Sequence, residues 1–212
     1  MDKSKLKPFF AELIGTFALV FAVLVSLSDP NFPIPTPVIA ALTLGLFVYT
    51  IGNTSGCHIN PAITLAALLI KQIKPKKAVS YIVAQFCGAG LAKLLALPFL
   101  SFSAVLLTHK SSITIGFDEM IGAAFFAFGI AAVMLNNVPQ SLSGLVVGGS
   151  LFLGVSLAAH GAYGLLNPAV ALGTGTFSLA YVLGPVVGAS IGMLVYKYLV
   201  NLRQVAAGTA VD

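Results

Sequence analysis

Two Asn-Pro-Ala triplets, Asn60-Pro61-Ala62 and Asn167-Pro168-Ala169, carry the residues best suited to chemistry, and that chemistry is hydrogen bonding, not bond making. Asn is a strong N-cap whose side-chain oxygen accepts from a backbone N–H, and Pro suits the first helical turn. The amide NH2 of each Asn is then left to donate elsewhere. Each triplet opens a short apolar stretch, one over residues 61–70 and one from Pro168 onward. Ten residues of α-helix rise about 15 Å, half of a bilayer core. Both stretches read as re-entrant half-helices whose positive ends would point at the bilayer centre.

Two carboxylates, Glu12 and Glu119, fall within apolar runs, where charge is expensive. Each would accept backbone N–H bonds from a re-entrant loop, since a loop at membrane depth must satisfy its backbone within the protein. The alternative use of the pair is a proton relay in an ion-coupled carrier. Gln85 is expected to support a loop in the same way. No Ser/His/Asp set and no metal-ligand spacing accompanies them, so neither an enzyme nor a cofactor or metal site is expected. Cys57 and Cys87 suggest no disulfide framework.

The elements that position these residues follow from composition. The chain has 212 residues, 58% hydrophobic and 8% charged, with a mean hydropathy of +1.01. So few charges cannot coat a soluble domain of this size, and the composition also excludes a disordered chain. A net charge of +5 would suggest nucleic acid in a soluble protein. Here nine of the eleven basic residues sit outside the apolar blocks, so membrane lipid, not nucleic acid, is the expected surrounding.

Six runs are long enough to cross a bilayer, at 9–28, 37–52, 78–100, 118–135, 142–160 and 177–200. Runs of this length are helices, so the fold class is all-α, with six transmembrane helices plus two half-helices. The first run, which follows a Lys-rich start but carries Glu12, is read as a retained span and not a cleaved leader. Basic residues set the orientation: Lys3, Lys5, Lys7, Lys71, Lys74, Lys76, Lys77, Lys197 and Arg203 fall on one side, taken as cytoplasmic with both termini. Lys93 and Lys110 fall near the other. The basic loop at residues 71–77 could also meet anionic lipid, although a topology signal accounts for it.

The chain repeats internally. Glu12 and Gly15 recur as Glu119 and Gly122, and Asn60-Pro61-Ala62 recurs as Asn167-Pro168-Ala169, both 107 positions on. Residues 1–212 thus form one membrane domain of two repeats, at approximately 9–100 and 118–200. Each repeat holds three spans, an odd number, so the second enters the membrane inverted.

At these residues the chain resembles the aquaporin and aquaglyceroporin (major intrinsic protein) family. The likeness runs through Ala11-Glu12-Leu13-Ile14-Gly15-Thr16, Ser55-Gly56-Cys57-His58-Ile59-Asn60-Pro61-Ala62, Ala84-Gln85-Phe86-Cys87-Gly88-Ala89, Asn167-Pro168-Ala169 and Gly184-Pro185-Val186-Val187-Gly188-Ala189. It implies a homotetramer of independently conducting monomers in the cell membrane, each a passive pore for water or small neutral solutes. Selectivity in such pores rests on bore, lining hydrogen-bond groups and electrostatic barriers. A water at the centre would accept from the amides of Asn60 and Asn167. Its orientation would break the chain of waters that proton hopping needs.

The chain departs from the family pattern at the outer constriction. Where the family usually has Arg, directly after the second triplet, this sequence has Val170, and Ala171 replaces the aquaglyceroporin Asp. The other constriction positions fall on Ala40, Val155 and Gly164. A ring of Ala, Val, Gly and Val is wider and apolar, with no fixed cation. Glycerol, urea, ammonia and hydrogen peroxide become plausible permeants, and an apolar neck can gate by dewetting.

The second re-entrant stretch is short and interrupted by Gly173-Thr174-Gly175-Thr176. It is expected either as about two turns below an open vestibule or as poorly ordered chain. His58 is expected to offer its carbonyl to the pore, with a pH switch as the other use. His160 and Tyr163 fall near the outer mouth. Cys57 sits as far before Asn60 as Gly164 sits before Asn167, so it is either a buried inert thiol or a pore-facing target of mercurials.

Overall fold

Helix ends in this protein are set by caps, not by where hydropathy fades. A computed structural model describes residues 3–100 and 111–206, with side chains placed for residues 6–100 and 111–201. The helices are α1 (Lys3–Ser28), α2 (Thr36–Ser55), α3 (Pro61–Leu69), α4 (Pro75–Ala96), α5 (Ile113–Met134), α6 (Ser143–Ala158), α7 (Pro168–Thr174) and α8 (Leu179–Ala206). A 3₁₀ turn at Gln140–Leu142 leads into α6. The all-α expectation holds among the described residues.

Hydropathy ended the second span at residue 52, yet α2 continues through polar Asn53, Thr54 and Ser55 until Gly56 turns left-handed at φ 94°. It began the fourth span at residue 118, but α5 starts five residues earlier because Ser112 caps it by accepting from Ile115 N–H. Six helices are long and apolar enough to cross a membrane. This is a multi-pass membrane protein. Leu42, Leu46, Leu94, Leu145 and Leu179 are more than half exposed on its outer face, where hydrocarbon takes the place of water.

In lipid the helices gain little from hiding apolar surface, so close approach of small residues must hold them together. A Cβ on Gly88 of α4 would run into the Leu13 carbonyl of α1, and one on Gly188 of α8 into the Met120 carbonyl of α5. Gly45 of α2 meets Gly144 and Gly148 of α6 in the same way. The most extensive helix pairings are α5 with α8 and α1 with α4.

The two short helices cross over between these bundles. α3 packs chiefly on α8, whereas α7 packs on α4 and α1. The second half-helix is an ordered helix of seven residues, about two turns, and not poorly ordered chain. α3 has nine residues. Lys197 of α8 donates to the Ile70 carbonyl at 3.2 Å, placing that end of α8 beside the loop bearing Lys71, Lys74, Lys76 and Lys77. The side chains of Lys3, Lys5, Lys110 and Arg203 lie outside the described residues.

Candidate functional site

Each Asn-Pro-Ala triplet opens its half-helix as the sequence requires. Asn60 Oδ1 accepts from Ala62 N–H at 2.8 Å and Asn167 Oδ1 from Ala169 N–H at 2.9 Å. Pro61 and Pro168 occupy the first helical positions, where a missing N–H loses nothing. The amides then reach across. Asn60 Nδ2 donates to the Leu166 carbonyl at 2.9 Å, and Asn167 Nδ2 donates to the Ile59 carbonyl at 3.0 Å. All four residues are buried.

The loops before the triplets share an unusual backbone. Cys57 (φ 50°) and Ile59 (φ 36°) are left-handed in the first, Gly164 (φ 65°) and Leu166 (φ 53°) in the second, each pair 107 positions apart. A β-branched residue such as Ile59 takes this conformation only when its surroundings over-determine it. The carboxylates provide that constraint. Glu12 Oε1 accepts from His58 N–H at 2.9 Å, and Oε2 accepts from Ile59 N–H at 2.6 Å. Glu119 does the same for Leu165 at 2.9 Å and Leu166 at 2.6 Å.

The first loop also carries a polar network of side chains. Glu12 also accepts from Ser55 Oγ at 2.6 Å and Gln85 Nε2 at 2.8 Å. Gln85 Nε2 donates as well to Thr64 Oγ1 at 2.9 Å, leaving its own Oε1 buried with no partner. Thr64 gives its only hydroxyl proton to the Asn60 carbonyl at 2.9 Å. The 3.2 Å contact between His58 Nδ1 and Thr64 Oγ1 therefore needs the proton on Nδ1, which makes Nε2 an acceptor. Tyr81 completes the support by donating to the Ser55 carbonyl at 2.6 Å. Sequence reasoning missed Ser55, Thr64 and Tyr81; for Ser55 and Thr64 the signal was a hydroxyl within five positions of Asn60, whereas Tyr81 lies far along the chain on α4 and carried no such signal.

A cavity of about 240 Å³ opens between the two halves. Its floor holds His58, Asn60 and Asn167, and its walls come from α1 (Leu19, Val23, Leu27), α2 (Leu44), α5 (Phe126) and α6 (Leu151). Ala40, Val155, Gly164 and Val170 all line it, so the four positions taken from spacing converge on one space. None carries a charge or a side-chain donor. Gly164 is confined: a Cβ there would press on the Val155 carbonyl.

Pro61, Ala62, Pro168 and Ala169 do not line this cavity; they form the buried first turns behind the two asparagines. Cys57 is buried and is not among the residues that line this cavity. Tyr163 lines the mouth and stacks on Tyr181, whereas His160 is exposed outside. Among the described residues no group of three His, Cys, Asp or Glu side chains could hold a metal ion.

This arrangement coincides with what known proteins show. A family model described as major intrinsic protein matches residues 2–196. The chain belongs to the major intrinsic protein family. Members of this family are membrane channels for water and small solutes. Nodulin-26 of Glycine max is 34% identical over 91% of this chain and 77% of its own length. Probable aquaporin NIP7-1 of Arabidopsis thaliana is 31% identical, over 93% of this chain and 78% of its length. Aquaporin AqpM of Methanothermobacter thermautotrophicus is 29% identical, over 90% and 96%. The X-ray structure of the aquaglyceroporin from Plasmodium falciparum superposes with a TM-score of 0.72 at 22% identity, covering 97% of this chain and all of that one. That likeness places this major intrinsic protein in the aquaporin fold.

Proposed function

We propose that this protein is a passive channel for water and small neutral solutes, conducting through the cavity between Asn60 and Asn167. The single observation that carries the reading is that cavity, with both asparagine amides at its floor and an uncharged ring of Ala40, Val155, Gly164 and Val170 in its wall. Each amide has two N–H groups. One is committed to the opposite loop, which leaves one on each Asn for a passing solute. Two donors facing one water turn its oxygen towards both, and its own protons then point away to either side. Proton hopping is interrupted there, and the half-helix N-termini disfavour cations.

The apolar ring favours permeants larger than water, with glycerol, urea, ammonia and hydrogen peroxide as the solutes to test. His58, its Nε2 an acceptor, and the loop carbonyls supply complementary sites along the path. Glu12 and Glu119 hold the loops, with Gln85 assisting Glu12. Their oxygens are occupied by loop N–H donors, which favours a channel over an ion-coupled carrier. The repeated contacts support two inverted repeats at 9–100 and 118–200 in a single domain. We place the protein in the cell membrane as a homotetramer with both termini cytoplasmic.

Proteoliposome flux separates the two mechanisms. A channel gives solute flux that rises linearly with the solute gradient and ignores ionophores that collapse ion gradients. Saturable flux that ionophores abolish would establish the carrier instead.

A further inference from the structure

The two half-helices end as symmetrically as they begin. Both close with the left-handed turn typical of helix C-termini: Gln72 N–H bonds the Ala67 carbonyl after α3, and Thr176 N–H bonds the Ala171 carbonyl after α7. Each then receives an ammonium group from the half it packs against. Lys197 of α8 donates to the Ile70 carbonyl at 3.2 Å, and Lys93 of α4 reaches the Leu172 carbonyl at 3.5 Å. Both lysines are partly buried, and both belong to spans. A charge within a span is costly unless it has a partner and a use.

We propose that Lys93 and Lys197 are specificity-determining residues, supplying the positive potential that Val170 does not. This rests on the channel reading above. An α-helix carries about +0.5 charge at its N-terminus and about −0.5 at its C-terminus. With seven and nine residues, α7 and α3 are only about 10 and 13 Å long, so each negative end lies close enough to offset much of its positive end at the cavity floor. An ammonium on the C-terminal carbonyl cancels that negative end. The low-dielectric surroundings then carry the remaining positive field inward with little screening.

The outer lysine bears most of this. Among the described residues, Lys93 is the one cation on the outer side, and it grips α7 two residues beyond Val170. A guanidinium in the bore would narrow it; a lysine behind the half-helix raises the potential and leaves the bore open. The channel thereby combines a wide neck for neutral solutes with exclusion of cations.

The test reads cation leak against neutral flux in the same proteoliposomes. Lys93→Met and Lys197→Met keep an unbranched side chain one atom shorter and remove its charge. Each is expected to raise sodium and proton leak by about tenfold while water and glycerol permeabilities stay within about twofold, and Lys93→Arg and Lys197→Arg are expected to stay tight. Neutral flux intact in a variant also shows that it is folded. Methionine variants as tight as wild type overturn the assignment. So do variants that lose neutral flux together with the charge, because the lysines would then be mechanical straps. Wild type that passes neutral solutes and cations alike overturns only the lysine assignment; wild type that passes neither overturns the channel reading with it.

Discussion

Asn60 and Asn167 brace each other's loops. The amide of Asn60 bonds the carbonyl of Leu166, the residue directly before Asn167, and the amide of Asn167 bonds the carbonyl of Ile59, the residue directly before Asn60. The pair closes a ring that neither half of the chain could form alone. Removing one amide orphans a buried carbonyl opposite and uncaps its own half-helix. Asn60→Ala and Asn167→Ala should each lose about 2–4 kcal/mol, combining a cap of about 1 with an unsatisfied polar group of about 1–3. Because the two share one ring, the double variant should lose less than the sum. Thermal unfolding in detergent measures all three; strict additivity would show that the loops are held independently.

Val170 lines the cavity where family members usually carry Arg. A guanidinium there would narrow the neck and add donors. Val170→Arg should cut glycerol permeability by about tenfold or more while sparing water, by the rules of pore diameter and lining donors. Stopped-flow light scattering gives both rates from one preparation, and an unchanged glycerol-to-water ratio would remove Val170 from the filter.

Close helix approach predicts a contrast between two glycines. A Cβ on Gly188 would collide with Met120 backbone, whereas one on Gly90 meets nothing within 4 Å. Gly188→Ala should destabilise by about 1–3 kcal/mol through overpacking. Gly90→Ala should be neutral, or gain about 0.5–1 kcal/mol from the stiffer helix. Melting temperatures in detergent decide it, and equal values for the two variants would contradict the α5–α8 packing.

The buried setting of Cys57 has a consequence for inhibition. With the thiol buried and outside the cavity lining, mercurials should leave solute flux through the folded protein unchanged. Mercurial block that Cys57→Ser relieves would place this thiol on the conduction path.

Much of this site was legible in the sequence because its key residues are exceptions to their surroundings. A Glu, an Asn-Pro pair or a Gln in apolar chain must satisfy hydrogen bonds inside the membrane, and the 107-residue spacing says which loop each serves. Leu19, Val23, Phe126 and Leu151 could not be read in that way. A cavity wall, a packed core and a lipid-facing surface all ask for apolar side chains in a membrane helix, so hydropathy carries no face. Lys93 and Lys197 were legible as charges but not as caps. They are 104 residues apart and fall outside the repeat, because each serves the half to which it does not belong. The setting of Cys57 depended on loop backbone at positive φ, which residue type alone does not encode at a non-glycine position.

The central claim is that solutes pass through the space bounded by Ala40, Val155, Gly164 and Val170 above the paired asparagines. Val155→Trp fills that space from its wall, beside Gly164 of the second loop and on the side away from the Glu12 network. The direct measurement is stopped-flow glycerol and water permeability of proteoliposomes bearing wild type or Val155→Trp, with melting temperature as the check on folding. Wild type should exceed protein-free vesicles, and the tryptophan variant should fall to the vesicle background at a near-native melting temperature. Wild type at background, or a folded Val155→Trp that conducts as wild type does, would contradict the account.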